Sequence, residues 1–228
     1  MSINIESFFH EALSAQDSSR GRSTQKHIGP SAIGGCTRSA WHILQETPKV
    51  NEKTETYNAI LGTFIHSGIA NAITRMDPFG DNYLVEKALS APLPSGIELR
   101  GSVDLYIVDE GQVIDWKSVS KVDPKTFPSD QQWWQVMVYG WMLQKMGYDP
   151  KFVSLCAIPR NGKFRDVYAV TRPYDEDTAY EALQWLSDVQ MISDSNAPAP
   201  APEKTRWFCS NYCSFFDLTG EVGCPSLG

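Results

Sequence analysis

From Ile97 to Trp116 the chain reads IELRGSVDLYIVDEGQVIDW, two runs of β-branched and aromatic residues separated by Asp109-Glu110-Gly111. Runs of this kind joined through a glycine turn fold as a β-hairpin. With Asp109 and Glu110 as the loop residues, Val108 faces Gly111, and the same register sets Asp104 opposite Asp115. Cross-strand Cβ atoms lie only about 5 Å apart, and like charges so placed repel. Val103, Leu105, Ile107, Val113 and Ile114 surround the two acids, so this part of the sheet is expected to be buried. Facing carboxylates in such a place need compensation, most simply from a bound hard cation. Lys117 stands two residues beyond Asp115, hence on the same face. A plainer reading stands beside this one: Asp115 and Lys117 as ordinary strand polars, with Asp104 paired to Arg100 or Lys117.

A chain of 228 residues is long enough for one domain with appendages, and with 42% apolar and 21% charged residues it has a globular composition. No apolar run reaches the length of a membrane span. The segment MSINIESFFHEALSAQ has neither the basic start nor the apolar block of a secretory signal, so a cytoplasmic location is expected. The net charge of −7 excludes a uniformly basic nucleic-acid coat. It does not exclude a nucleic-acid enzyme, because a local basic patch or a bound metal ion reverses the field at a site.

The order of elements predicts a mixed α/β core rather than a doubly wound sheet. Apolar periodicity predicts a helix over 4–15, followed by a polar link, then a short helix after Gly35 and a longer one over 54–75. Strands are expected at Tyr83–Leu89 and in the hairpin. A helix over 130–147 is expected to be capped by Asp130 and ended by Gly147. Strands at Phe152–Ile158 and Phe164–Val170 should flank Arg160-Asn161-Gly162-Lys163, and a helix follows over Tyr174–Ile192. The stretch SDSNAPAPAPEKT reads as extended and stiff.

Several polar residues fall among these elements. Gln135 and Tyr139, four apart, share a helix face; the bland reading makes Tyr139 a core aromatic and Gln135 a rim residue. Trp133 and Trp134 suit either base stacking or core packing. His66, among Gly, Ala, Ile and Leu, is either a hydrogen-bonded core histidine or a metal ligand. Glu86 lies in an apolar strand and matters if it points toward Asp104.

Five cysteines are an odd number for a reducing compartment, where metal or cluster ligation outranks disulfides. Cys209-x3-Cys213-x10-Cys224 closes the chain, and Cys36 lies more than 170 residues earlier. Four thiolates suit structural zinc or an iron–sulfur cluster. Cys156, in FVSLCAI, reads as a small core residue.

Taken in order, these residues resemble the RecB-type branch of the PD-(D/E)XK nucleases, within it the iron–sulfur exonuclease group of the CRISPR-adaptation exonuclease, the AddB nuclease domain and phage-encoded relatives. The matching motifs are Cys36-Thr37-Arg38, Gly62-x-x-x-His66, the strand Glu86, Gly101-x-x-Asp104, Asp115-Trp116-Lys117, Gln135-x-x-x-Tyr139 and the terminal cysteines. The resemblance spans about residues 30–224, with DLTGEVG lengthening the gap before Cys224. It implies a restriction-endonuclease-like α/β core. The expected organisation is an N-terminal helix and link over 1–30, the nuclease core over 31–193, a Pro/Ala linker over 194–206 and a cluster-binding tail over 207–228.

The resemblance further implies Mg²⁺ or Mn²⁺ held by His66, Asp104, Asp115 and the Trp116 carbonyl, with Lys117, Gln135 and Tyr139 catalytic and Glu86 in an outer position. It implies a [4Fe-4S] cluster on Cys36, Cys209, Cys213 and Cys224, with zinc the alternative. Phosphate contacts are expected from Arg160, Lys163 and Arg165 on one hairpin and from Lys121 and Lys125 after the active-site strand. The implied activity is DNA exonuclease action on free ends, in phage or bacterial recombination, repair or replication, beside a single-strand annealing or recombinase partner. The competing expectations are a nuclease fold that grips DNA without cutting, and a zinc protein of unrelated function.

Overall fold

The computed structural model describes residues 27–51, 57–93, 96–195 and 197–227, together with Asn4, Ile5, Phe8, Glu11 and Leu13. The helix expected over 4–15 and the link after it lie largely outside the described residues. Among the described residues the helices are α1 (Thr37–Leu44), α2 (Tyr57–Met76), α3 (Asp130–Lys145), α4 (Glu176–Asp194) and α5 (Arg206–Tyr212). The strands are β1 (Tyr83–Pro92), β2 (Glu98–Ile107), β3 (Gln112–Val119), β4 (Phe152–Pro159) and β5 (Tyr168–Pro173).

They form one five-stranded mixed sheet in the order β1-β2-β3-β4-β5, parallel between β3 and β4 and antiparallel elsewhere. A parallel step needs a crossover, and α3 supplies it. α3 packs on β1, β3 and β4 and carries α4 on its other side, while α2 leans on β1, β2 and β3. Covered from both sides, α3 is buried through most of its length, from Trp133 to Leu143. No helix among the described residues is long and apolar enough to cross a membrane.

The β2–β3 hairpin has the anticipated register: Leu105 pairs with Ile114, Tyr106 with Val113, Ile107 with Gln112. Gly111 turns the chain at φ 62°, where a side chain would also strike the Asp149 carbonyl. Beyond Leu105 the backbone ladder stops, and the Asp104 carboxylate takes the Trp116 N–H instead, at 2.7 Å.

Two element ends differ from expectation. Ser129, not Asp130, caps α3: its hydroxyl accepts the Gln132 N–H while the Gln132 side chain accepts the Ser129 N–H, a reciprocal pair that Asp130 cannot make. The fifth strand begins at Tyr168 rather than Phe164. Residues Phe164–Asp166 form a 3₁₀ turn held by Asp166, whose carboxylate accepts the Lys163 N–H at 2.7 Å.

The C-terminal segment is bound to the residues after α1. Asn51 donates its amide to the carbonyls of Ser210 and Cys213, at 3.1 and 2.8 Å, and the Val50 and Asn51 N–H groups share the Ser214 carbonyl. Phe215 stacks on His42, with ring centroids 5.3 Å apart. The segment DLTGEVG is a closed loop: Asp217 accepts N–H groups from Thr219, Val222 and Gly223, which returns the chain so that Cys224 bonds Phe215 through its N–H and Asp217 through its carbonyl.

Candidate active site

Three acids line up across three neighbouring strands. Carried one residue beyond the Leu105–Ile114 pair, the β2–β3 register sets Asp104 opposite Asp115. On the other side of β2, Glu86 falls between the pairs Val85–Leu105 and Lys87–Val103, hence opposite Asp104. Glu86 holds φ 47°, a left-handed conformation that costs a non-glycine residue free energy and persists where surrounding structure demands it. His66 reaches the row from α2, its Nδ1 3.2 Å from Asp104 Oδ1.

One ligand atom from each of His66, Glu86 and Asp104 lies within 4.8 Å of the others. An octahedral ion with metal–oxygen bonds of about 2.1 Å sets adjacent ligands about 3 Å and opposite ones about 4.2 Å apart, so small side-chain shifts would enclose an ion. Glu86, expected in an outer position, thus joins the inner group. The donor set of hard oxygens plus one imidazole suits Mg²⁺ or Mn²⁺.

Asp115 is 2% exposed. Its Oδ1 accepts the Gln135 amide at 2.9 Å, and its Oδ2 lies 2.8 Å from Lys117 Nζ. That buried Oδ2 is therefore held in an ion pair with the Lys117 ammonium. Gln135 also accepts from Lys117 Nζ at 2.6 Å and donates to the Tyr139 hydroxyl at 3.3 Å. Gln135 is 6% exposed, an orienting residue inside the site rather than a rim residue. Gly101 lets the strand pass beneath Pro30 and Tyr139, where a Cβ would sit 3.0 and 3.2 Å from their carbons.

The charges explain the proton affinities. Burial, and then the facing Asp104 carboxylate, push Asp115 upward against the opposing pull of Lys117 and His66. Burial pulls His66 down, but the Asp104 hydrogen bond and the carboxylates of Asp104, Asp115 and Glu86 outweigh it and raise the imidazole. The Asp115 shift chiefly marks its burial, and the His66 shift marks the carboxylates gathered around the imidazole.

All these groups line one cavity of ≈ 750 Å³ with Trp116 and Ser118. Arg100 lines it too; the plainer reading offered it as a partner of Asp104, and here it pairs with Glu98 at 2.6 Å. Arg160 braces the end of β3, donating to the Ser118 carbonyl and hydroxyl at 3.2 Å. Lys121, Lys125, Lys163 and Arg165 are exposed on the neighbouring loops. Trp133 is buried under Arg172, whose guanidinium lies 4.1 Å from the ring centroid, and the Trp134 ring closes on Gly34, so both pack rather than offer a face to a base.

A second group gathers at the other end of the core. Cys209 and Cys224 are buried, Cys36 and Cys213 half-buried. Burial first, then the neighbouring Cys213, Cys224 and Cys36, push the Cys209 thiol up to about 11. Cys213 is raised by burial and by Cys36 and Cys224. Among the described residues no three sulfurs approach within 4.8 Å of one another. Tetrahedral zinc, with Zn–S bonds of about 2.3 Å, would hold them about 3.8 Å apart. A cubane cluster, bonding each thiolate to a different iron, spaces them more widely.

Residues 7–218 match the family model of the PD-(D/E)XK nuclease superfamily, and the chain belongs to that superfamily. Among solved structures it is similar to SSO0001, at 19% identity and a TM-score of 0.55 over 94% of this chain and 95% of that one. It is also similar to a phage-related exonuclease from Haemophilus somnus 129PT, at 11% identity and a TM-score of 0.51 over 74% of this chain and 93% of that one. These likenesses show the fold. No curated protein sequence matches the chain.

Proposed function

We propose that this chain is a divalent-metal-dependent DNA exonuclease that hydrolyses phosphodiester bonds from free ends. The observation that carries the reading is the Asp115–Lys117–Gln135 network set against His66, Glu86 and Asp104 in one cavity of a PD-(D/E)XK chain. Mg²⁺ or Mn²⁺ bound there would polarise a phosphate oxygen and acidify an attacking water. His66, Glu86, Asp104 and Asp115, with the Trp116 carbonyl at the cavity wall, would hold the ion. Lys117 would orient the water or neutralise charge developing on the phosphate. Gln135 fixes both Lys117 and Asp115, and Tyr139 fixes Gln135.

Lys121, Lys125, Lys163 and Arg165 would neutralise the DNA backbone at the cavity mouth, with Arg160 bracing the strand between them. The phage-related exonuclease among the similar structures supports action on ends, and the resemblance of the motifs suggests a place in recombination, repair or replication of a phage or bacterial genome beside an annealing or recombinase partner. The four cysteines would hold a [4Fe-4S] cluster that ties the tail to Cys36, with zinc the alternative.

The test is digestion of end-labelled linear duplex, linear single-stranded and circular DNA with Mg²⁺ or Mn²⁺. Stepwise shortening of linear DNA with circles spared is the expected result. DNA bound but uncut with metal present would instead assign a gripping module. Colour decides the cluster: anaerobically prepared protein should be brown, and colourless protein with stoichiometric zinc would overturn it.

A further inference from the structure

Phe164 is 95% exposed, close to complete exposure for a large apolar side chain. Its position is nonetheless built. The 3₁₀ turn Phe164–Asp166 is closed by the Val167 N–H on the Phe164 carbonyl at 3.2 Å, and by Asp166 accepting the Lys163 N–H. A single exposed apolar side chain is common on protein surfaces, so it is the setting of this ring, not its exposure alone, that points to a use.

Its place in the fold says what that use is. β4 runs parallel to β3, with Lys117 beside Ala157 and Val119 beside Pro159, so the loop after β4 leaves the sheet where β3 passes Lys117 and Ser118 out of the cavity. Arg160 opens this loop and is bonded to Ser118 and Val119. Phe164 is four residues on, at most about 14 Å of chain, or about four nucleotide steps along one strand. Lys163 and Arg165 flank it on a protein whose net charge is −7. Phe79, equally bare, sits between Asp77 and Asp81 near the opposite end of the sheet, in surroundings that repel a phosphate chain. Of the two adjacent tryptophans of α3, Trp133 is buried beneath Arg172 and Trp134 is half-buried with its ring against Gly34, so neither is as open to a base as Phe164.

We propose that Phe164 is a base-stacking residue: its ring takes the face of an unpaired base of the strand lying across the cavity mouth, while Lys163 and Arg165 hold the phosphates on either side. The substrate class rests on the nuclease reading above. The stacking itself is read by binding, with hydrolysis switched off by chelator.

The experiment measures affinity of the full chain for a single-stranded oligonucleotide and for the same oligonucleotide with abasic sites, at fixed salt, for wild type, Phe164→Ala and Phe164→Trp. Base–aromatic stacking accounts for about a 5- to 100-fold loss in Phe164→Ala on the normal strand, and for no loss on the abasic strand. Phe164→Trp should restore binding, and its emission should be quenched by the normal strand. Equal affinity of wild type and Phe164→Ala overturns the proposal, as does an equal loss on both strands. A change in self-association with DNA binding unaltered also overturns it and assigns the ring to a second copy of the chain. Cleavage that fails in wild type with metal, while the stacking pattern holds, strikes the catalytic reading and leaves this one standing.

Discussion

Glu86 combines a carboxylate aimed at the candidate ion with a backbone in the left-handed region. Strain of this kind costs about 1 kcal/mol or more and is relieved by glycine. Glu86→Gly is therefore expected to be about 1 kcal/mol more stable than Glu86→Ala in denaturant unfolding, while both variants need more metal for cleavage. Equal stability would contradict the strained geometry. His66 gives a second expectation. Its folded-state pKa is raised, so the bound proton stabilises the metal-free fold fully below 6.5, and that contribution is lost as pH rises through the folded value. A cation competes with the same proton. The metal concentration for half-maximal activity should fall from about pH 6 to about pH 8, and in His66→Asn that fall should flatten.

Both residues were only partly legible in the sequence. The pairing of Asp104 with Asp115 followed from the turn and strand alternation, because a hairpin register is local. Glu86 could not be placed, since its contact with Asp104 depends on how β1 docks on β2, and a positive φ leaves no mark on a glutamate. For Gln135, helix periodicity by itself favours a rim, while the resemblance of the motifs makes it catalytic. Its burial comes from α3 lying between the sheet and α4, a tertiary fact.

At the scale of elements, the C-terminal segment that would carry the proposed cluster is held by its own hydrogen bonds. Asp217 closes its loop, and a Cβ on Gly223 would collide with the Phe215 carbonyl. Gly223→Ala should displace Cys224, lowering cluster content measured by iron and visible absorbance, with nuclease-core unfolding little changed at first. Asn51→Leu takes the amide donor from the half-buried Ser210 and Cys213 carbonyls, the latter keeping the Phe216 N–H, at about 1 kcal/mol. Faster alkylation of the cysteines in the cluster-free protein would report the loosened tail, and wild-type rates would contradict it. The sequence showed the cysteines but not this clasp, because Asn51 and Cys213 are joined only by the fold.

For the whole molecule, the tail and core share an acid-sensitive contact. Burial, and then Arg38, push His42 down to about 4. A histidine depressed in the folded state contributes stability that is fully present above its unfolded value of 6.5 and lost as pH falls toward 4. Wild type should lose stability across that window, and His42→Phe should lose less, read as Tm against pH. The architecture itself, helices, three strands, helix, two strands, helix, was legible because each element carries its own period. The parallel step between β3 and β4 was not spelled out by pattern, since a crossover is a property of the assembled sheet.

In the proposed mechanism one acidic cavity hydrolyses DNA through a bound ion and Lys117. The cleavage rate of linear DNA by Lys117→Ala, measured beside wild type together with the Mn²⁺ affinity of both proteins, tests that mechanism at its centre. The rate should be lower by about 10²–10³ with Mn²⁺ affinity within a few-fold of wild type. Undiminished cleavage by Lys117→Ala would contradict it.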